Sequence, residues 1–311
     1  MVELNEAYSS GAAFVDGEFV PISEAKISLL DWGFSKSDVT YDVVHVWDGA
    51  FFRLKDHLAR FASSVERLGM TLPHDSAAIG DILDGCVARA GLERAYVAML
   101  ATRGVPGPGM PRSRPSLLKN RFFAYALPWV SVFPEEKQDT GLKFLISETL
   151  RIPPASFDPT IKNYMWGDFI AALRAAEAAG VDSAILLDGD GVVTEGPGFN
   201  LFIWKDGELL TPDRGALEGV TRKTVLEIGA EMGVPARLAR LTRADLEAAD
   251  EVFTATTAGG VSPVVELGGR IYANGRPGPM FRKIEETYWA WHKRPELSTP
   301  VRYAEAARRS A

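Results

Sequence analysis

Apolar residues recur at two different spacings along this chain, and Asp-Gly pairs punctuate the change from one to the other. Asp16-Gly17 separates Ala-Phe-Val from Glu-Phe-Val, Asp48-Gly49 separates His-Val-Trp from Ala-Phe-Phe, and Asp206-Gly207 separates Phe-Ile-Trp-Lys from Glu-Leu-Leu. A further pair stands at Asp188-Gly189. Asp-Gly supplies the positive φ that a two-residue hairpin turn demands, so each pair predicts an antiparallel hairpin. Between the hairpins the spacing lengthens. Leu54, Leu58, Phe61, Val65 and Leu68 form a stripe of helical period over 54–68. The same argument predicts helices over 77–90, 166–179 and 221–232, each stopped by a glycine (Gly91, Gly180, Gly233) suited to a left-handed cap. Shorter helices are expected over 243–249 and 279–291. Antiparallel hairpins interleaved with helices in both halves read as an α+β fold. The proline-bearing polar stretch between Pro128 and Gly141 places a linker at 134–141, between a small domain at 1–133 and a larger one at 142–311. The Gly- and Pro-rich loop Gly104–Pro115 reads either as a functional loop or as a surface excursion.

Composition narrows the class. The chain has 311 residues, of which 46% are hydrophobic, which excludes intrinsic disorder. No apolar run approaches the roughly 18–20 residues that span a bilayer, and the acidic first residues carry no secretory pattern. Cys86 is the only cysteine, so an internal disulfide and a Cys-rich metal site are excluded. A net charge of −7 argues against a general nucleic-acid binder. The expectation is a cytoplasmic enzyme with no membrane or nucleic-acid partner. The nucleotide motifs Gly-x-x-x-x-Gly-Lys and Gly-x-Gly-x-x-Gly are missing, as is His-Glu-x-x-His. The acidic run from Asp188 to Glu195 has the wrong spacing for a calcium loop, so no metal is expected.

Five features remain. Lys162 lies between Ile161 and the aromatic residues Tyr164 and Trp166, just ahead of a predicted helix. A lysine partly buried there suits Schiff-base chemistry; it also reads as a side chain snorkelling from a strand end. Glu195 is followed by Gly196-Pro197-Gly198 and an apolar run. It reads as a carboxylate for a protonated ring nitrogen or as an exposed turn residue. Gly219-Val220-Thr221 runs into a helix, and Thr256-Thr257-Ala258-Gly259-Gly260 follows a strand. Both are candidate anion cups, and Thr221 and Thr257 also read as plain caps. Arg60 is a candidate counter-charge on the first helix. Together these are the parts that pyridoxal 5′-phosphate (PLP) requires.

The chain also resembles the fold-type IV PLP enzymes, which include branched-chain and D-amino acid aminotransferases, aminodeoxychorismate lyases and (R)-selective amine transaminases. Its likeness is greatest to the last of these. The matching stretches are Ser37-Asp-Val-Thr-Tyr-Asp-Val-Val-His-Val-Trp, Phe51-Phe-Arg-Leu-Lys-Asp-His-Leu, Phe157-Asp-Pro-Thr-Ile-Lys-Asn, Trp166-Gly-Asp, Thr194-Glu-Gly-Pro-Gly-Phe-Asn, Gly219-Val-Thr-Arg-Lys and Thr256-Thr-Ala-Gly-Gly. The resemblance implies two α/β domains with the cofactor at their interface, and a homodimer with shared active sites. It implies a transaminase that moves an amino group from an (R)-amine or D-amino acid to a keto acid such as pyruvate. The branched-chain aminotransferase is the alternative, then the lyase. Lys162 would carry the cofactor, Glu195 would face its ring nitrogen, and Arg60, Val220, Thr221, Thr256 and Thr257 would hold its phosphate side. Tyr41, Val43, His45, Trp166, Thr256 and Ala258 would line the substrate pocket. The first three are two apart, so a strand there puts them on one face. Two departures stand out. Lys36 occupies a position where these transaminases often carry His. Gly109 occupies the place of a loop arginine that binds a substrate carboxylate, with Arg112 and Arg114 nearby and Lys36 as another candidate for that role.

Overall fold

The computed structural model describes residues 6–303. The chain divides into two compact units. The first comprises the chain up to Val130, the short segment Ile161–Tyr164 and the chain from Arg294 on; the second comprises Ser131–Thr160 and Met165–Lys293. The tail beyond Tyr303, to which the sequence assigns no role, lies outside the described residues.

The first unit is built on strands β1 (Ala12–Val15), β2 (Glu18–Pro21), β3 (Val39–Trp47), β4 (Ala50–Phe52), β5 (Ala95–Thr102) and β6 (Arg121–Pro128). They form an antiparallel sheet in the order β4-β3-β5-β6-β1-β2, with Ser298–Pro300 added beside β4. Helices α1 (Leu54–Arg67) and α2 (Ser76–Ala90) belong to this unit. Val44 and Val46 of β3, Val97 and Met99 of β5 and Phe122 and Ala124 of β6 pack with Phe61, Val65, Ile82 and Leu83 of the helices into one core. The intervening residues Tyr41, Val43 and Ala98 face the opposite way, into a smaller cluster with Tyr96, Leu100 and Tyr125. β3 is therefore buried on both faces, which is why it reads as a nearly unbroken apolar run.

The second unit holds β7 (Leu142–Ile146), β8 (Ser183–Ile185), β9 (Asn200–Lys205), β10 (Glu208–Pro212), β11 (Ala236–Ala239), β12 (Glu251–Thr256) and β13 (Gly260–Leu267). Its sheet runs β11-β10-β9-β12-β13-β7-β8. The central pairs are antiparallel, whereas β10 with β11, β13 with β7 and β7 with β8 are parallel. Helices α3 (Gly167–Ala178), α4 (Val220–Glu231), α5 (Arg243–Ala248) and α6 (Pro279–Trp291) complete it.

Turn chemistry explains most of these boundaries. Asp16, Asp48 and Asp206 adopt φ of 53°, 49° and 50°, and the glycines after them 92°, 78° and 81°, as hairpin turns with two left-handed central residues require. Asp188-Gly189 is different. Asp188 Oδ1 accepts from the N–H groups of Asp190 and Val192, each at 2.9 Å, and the positive φ falls on Gly191 at 76°. The aspartate closes a wider turn with its own side chain, so the two-residue hairpin expected there is replaced. The linker expected at 134–141 is also folded. Lys137–Thr140 makes a helical turn, and Gln138 Nε2 donates to Val261 O at 3.1 Å and Ser262 Oγ at 3.0 Å. The division falls instead after Val130, and the segment around Lys162 returns to the first unit.

Candidate active site

Lys162 is anchored through its backbone. Its carbonyl accepts from Thr40 Oγ1 at 2.6 Å and from the Tyr41 N–H at 3.2 Å, and Asn163 makes an isolated bridge to Thr40. Its ammonium lies 4.3 Å from the centre of the Tyr41 ring, a distance for cation–π attraction. Tyr41 in turn meets Tyr164 at 4.4 Å between ring centres. On the same sheet face, Tyr96 and Tyr125 stack at 6.3 Å. Burial, then the neighbouring tyrosines, pushes the Tyr96 phenol well above its ordinary range. Burial does the same to Tyr164 and Tyr125. The face that carries Lys162 is thus apolar and aromatic, with the phenols of Tyr96, Tyr125 and Tyr164 held neutral. Val43 belongs to it. His45 is buried, stacked on Phe52 at 5.7 Å and edge-on to Trp129 at 5.6 Å.

Arg60 sits in the same unit but on the other side of β3. Its Nε donates to Asp42 Oδ2 at 2.7 Å and its NH2 group to Oδ1 at 2.8 Å. Asp42 also faces His57 Nδ1 at 2.8 Å. The helix arginine is therefore neither simply solvated nor isolated; a fully buried carboxylate orients it. Lys36 and Arg112 are both exposed. Lys36 ends a single helical turn, Trp32–Ser35, and Arg112 lies in the irregular loop after β5.

In the second unit Glu195 is only 5% exposed, which rules out the exposed-turn alternative. Its Oε1 accepts from Arg151 Nε at 3.3 Å and from NH2 at 3.2 Å, and its Oε2 from the Leu217 N–H at 3.0 Å. Arg151 NH1 donates at 2.7 Å to Asp168 Oδ2. A second carboxylate therefore anchors the arginine. Gly196 has no room for a side chain, because a Cβ there would lie 2.2 Å from the Phe199 ring. Trp166 precedes α3, packs edge-on against Phe169 at 5.4 Å, and touches the space beside Gly198.

The two expected anion cups also belong to this unit. α4 begins at Val220 after Gly219, which brings no side chain to the first turn. A Cβ on Gly219 would meet Asn200 Oδ1 at 2.1 Å, and Asn200 Nδ2 donates to Leu217 O at 2.9 Å. The glycine thus lets the chain enter a helix whose first amides and the Thr221 hydroxyl suit a phosphate. Thr256 closes β12, its Oγ1 donating to Gly198 O at 2.9 Å. Thr257 and Ala258 form the turn into β13, and the Ala258 carbonyl accepts from the Val132 N–H at 2.8 Å. A primary amine on an apolar face, a buried carboxylate and a helix entered through a glycine fit the donor set that PLP needs. Arg151 and Asp168 beside Glu195, and Asp42 and His57 beside Arg60, are buried partners that sequence reasoning missed. Asp168 closes the Trp166-Gly-Asp stretch, which was a signal; Arg151 lies 44 residues from Glu195, and no local pattern joins them.

Comparisons with known proteins show the family. The family described as amino-transferase class IV matches residues 40–267. A branched-chain-amino-acid aminotransferase of Pseudomonas aeruginosa is 32% identical over 292 residues, which is 92% of this chain and 94% of that protein. A putative branched-chain-amino-acid aminotransferase of Methanocaldococcus jannaschii is 31% identical over 277 residues, 88% of this chain and 94% of that one. A solved branched-chain amino acid aminotransferase from T.th., with pyridoxamine 5′-phosphate, aligns with a TM-score of 0.85 at 31% identity, covering 94% of this chain and 99% of that chain.

Proposed function

Because this chain belongs to the class IV aminotransferases, which work with PLP, we propose that it transfers the amino group of an (R)-amine or D-amino acid bearing an apolar substituent to a keto acid such as pyruvate. The observation that carries this reading is the sheet face at Lys162. Tyr41, Val43, Ala98 and Leu100 make it apolar, and Tyr96 and Tyr125 are held neutral there. Arg121, on the neighbouring strand β6, is already paired with Asp31 and Asp16. Such a surface accepts a hydrocarbon or aryl group without needing a charge on it. The sequence likeness to (R)-selective amine transaminases supports the same reading.

When bound, PLP supplies an electron sink for the bond broken at the donor Cα. Lys162 Nζ would hold the cofactor and would take and return the Cα proton, a general-base contribution of about 10²–10⁴-fold. The Tyr41 ring orients that amine. Glu195 would keep a proton on the ring nitrogen, and the first amides of α4, with Thr221, Thr256 and Thr257, would hold the phosphate side; Arg60, the counter-charge expected from the sequence, is taken up by Asp42 on the other side of β3. Ile27, Leu29, Leu30 and Phe34 are exposed apolar residues in one short stretch, which supports a homodimer. A monomer mass by light scattering would remove that part.

A second reading is favoured by the names of these relatives, which are branched-chain aminotransferases at 31–32% identity. An apolar face serves a leucine side chain as well as an aryl group. The deciding experiment is a half-reaction followed by absorbance of the bound cofactor. (R)-1-phenylethylamine, its (S) enantiomer, D-alanine and L-leucine are added separately. Rapid bleaching by the (R)-amine, with or without D-alanine, is the expected result. Bleaching by L-leucine with the (R)-amine inert gives the branched-chain reading instead.

A further inference from the structure

We propose that Arg151 and Asp168 are positioning residues that act through Glu195 and set how strongly its carboxylate attracts a positively charged ring nitrogen. This inference rests on the reading of Glu195 given above. The three side chains form a buried chain with a definite asymmetry. Arg151 spends its short bond, 2.7 Å, on Asp168, and reaches Glu195 only at 3.2 and 3.3 Å. Asp168 is fixed in turn by the N–H groups of Ile152 at 2.9 Å and Phe169 at 2.8 Å. The guanidinium is held 4.1 Å over the Phe169 ring. Two carboxylates therefore share one guanidinium, and Asp168 has the larger claim on it.

The charge that remains has a consequence. A buried cluster with excess negative charge is costly unless a cation completes it. Glu195 keeps more of its charge than it would with Arg151 to itself, because that guanidinium is drawn toward Asp168. A ring nitrogen bearing a proton supplies both positive charge and a donor. If the Asp168 charge is removed, Arg151 turns wholly to Glu195, cancels its charge, and weakens its pull on the ring. If Arg151 becomes lysine, the planar fork is lost and a single ammonium no longer holds both carboxylates in place. In either case the first casualty is the preference for a cationic nitrogen; general binding is affected less.

The test compares two probes on the cofactor-free protein, PLP and 1-deazapyridoxal 5′-phosphate, which has CH in place of the ring nitrogen. Dissociation constants from fluorescence quenching give a preference ratio for each variant. Glu195→Gln is expected to bring the ratio close to one. Asp168→Asn and Arg151→Lys are each expected to lower it by about tenfold, the size of one charge-assisted hydrogen bond, with smaller losses for the deaza probe. A purely structural role weakens both probes equally, and that result, in both variants, overturns the inference. If Asp168→Asn does not fold, Arg151→Lys carries the test alone. A Glu195→Gln ratio equal to wild type overturns the reading of Glu195 itself, and the inference falls with it.

Discussion

Each unit buries a cluster of charged side chains, and the two clusters are wired in opposite senses. In the first unit one carboxylate, Asp42, accepts from two side chains, Arg60 and His57, and from the Val43 N–H. In the second, one guanidinium, Arg151, serves two carboxylates. Burial works to raise the Asp42 carboxyl, but the Arg60 charge and the bonds from His57 and Arg60 outweigh it and hold the group well below its ordinary value. Burial depresses His57 more than Asp42 lifts it, so the ring is neutral and Nδ1 must carry the hydrogen that faces an ionised carboxylate. The first cluster is electrically closed and clamps β3 to α1. The second leaves Glu195 sharing its guanidinium with Asp168. Closed clusters of this kind fix structure, and open ones mark chemistry.

The largest expected effect lies outside both clusters. Lys162→Ala removes the amine on the apolar face, and transamination is expected to fall by at least about 10³-fold. Both clusters survive the change, so the melting temperature of the cofactor-free protein should hold. Steady-state rates near wild type would take Lys162 out of the mechanism.

Next in size is Asp42→Ala. It leaves Arg60 buried without its carboxylate, and breaking such a pair costs about 3–5 kcal/mol, measured by urea unfolding of the cofactor-free protein. The pH dependence sharpens the contrast. Asp42 is depressed below its ordinary value of 3.8 in the folded chain. The stability it contributes is present above that value and is lost as pH falls toward the folded one. His57 is a base depressed from 6.5. Below that pH the unfolded chain binds the proton first, so stability declines with acid in the window just under 6.5. His57→Asn should flatten the unfolding profile between about pH 5 and 6.5, a smaller effect than Asp42→Ala. A profile with the wild-type slope in that window would show that His57 is not held neutral.

The sequence shows the parts of these clusters unequally. Helix ends and hairpins are legible because they are local: Gly91 at φ 64° and Gly233 at φ 70° announce their own caps, and the alternation of Tyr41, Val43 and His45 follows from strand geometry. Lys162, Glu195 and the helix entry at Gly219 are legible because they sit in compact motifs. The ion pairs are not. Arg60 meets Asp42 across 18 residues and Arg151 meets Glu195 across 44, so their partners are decided by the packing of whole elements. The same holds for β7, which lies parallel to β13 and β8, and for the return of the Lys162 segment to the first unit. Asp188 misleads for the opposite reason. Its Asp-Gly signal is local, but a competing side-chain turn is local too, and it prevails.

The smallest expected effect isolates the substrate face from the clamp on the other side of the same strand. Val43 points toward Tyr41 and Ala98, away from the Asp42 cluster, although its own N–H donates to Asp42 Oδ1 at 2.7 Å. Val43→Ala keeps that backbone bond and removes only bulk from the face. If this valine limits the smaller substituent at the donor Cα, the variant should gain on ketones one carbon larger. The gain in kcat/KM is set by about 1–3 kcal/mol per methylene, or roughly tenfold. Its unfolding midpoint should move far less than that of Asp42→Ala, because the two side chains lie on opposite faces of β3. A substrate range identical to wild type would remove Val43 from the pocket. A loss of stability as large as that of Asp42→Ala would mean that the two faces of β3 are not separable, and the contrast between a closed structural cluster and an open chemical surface would fail at the strand where the two meet.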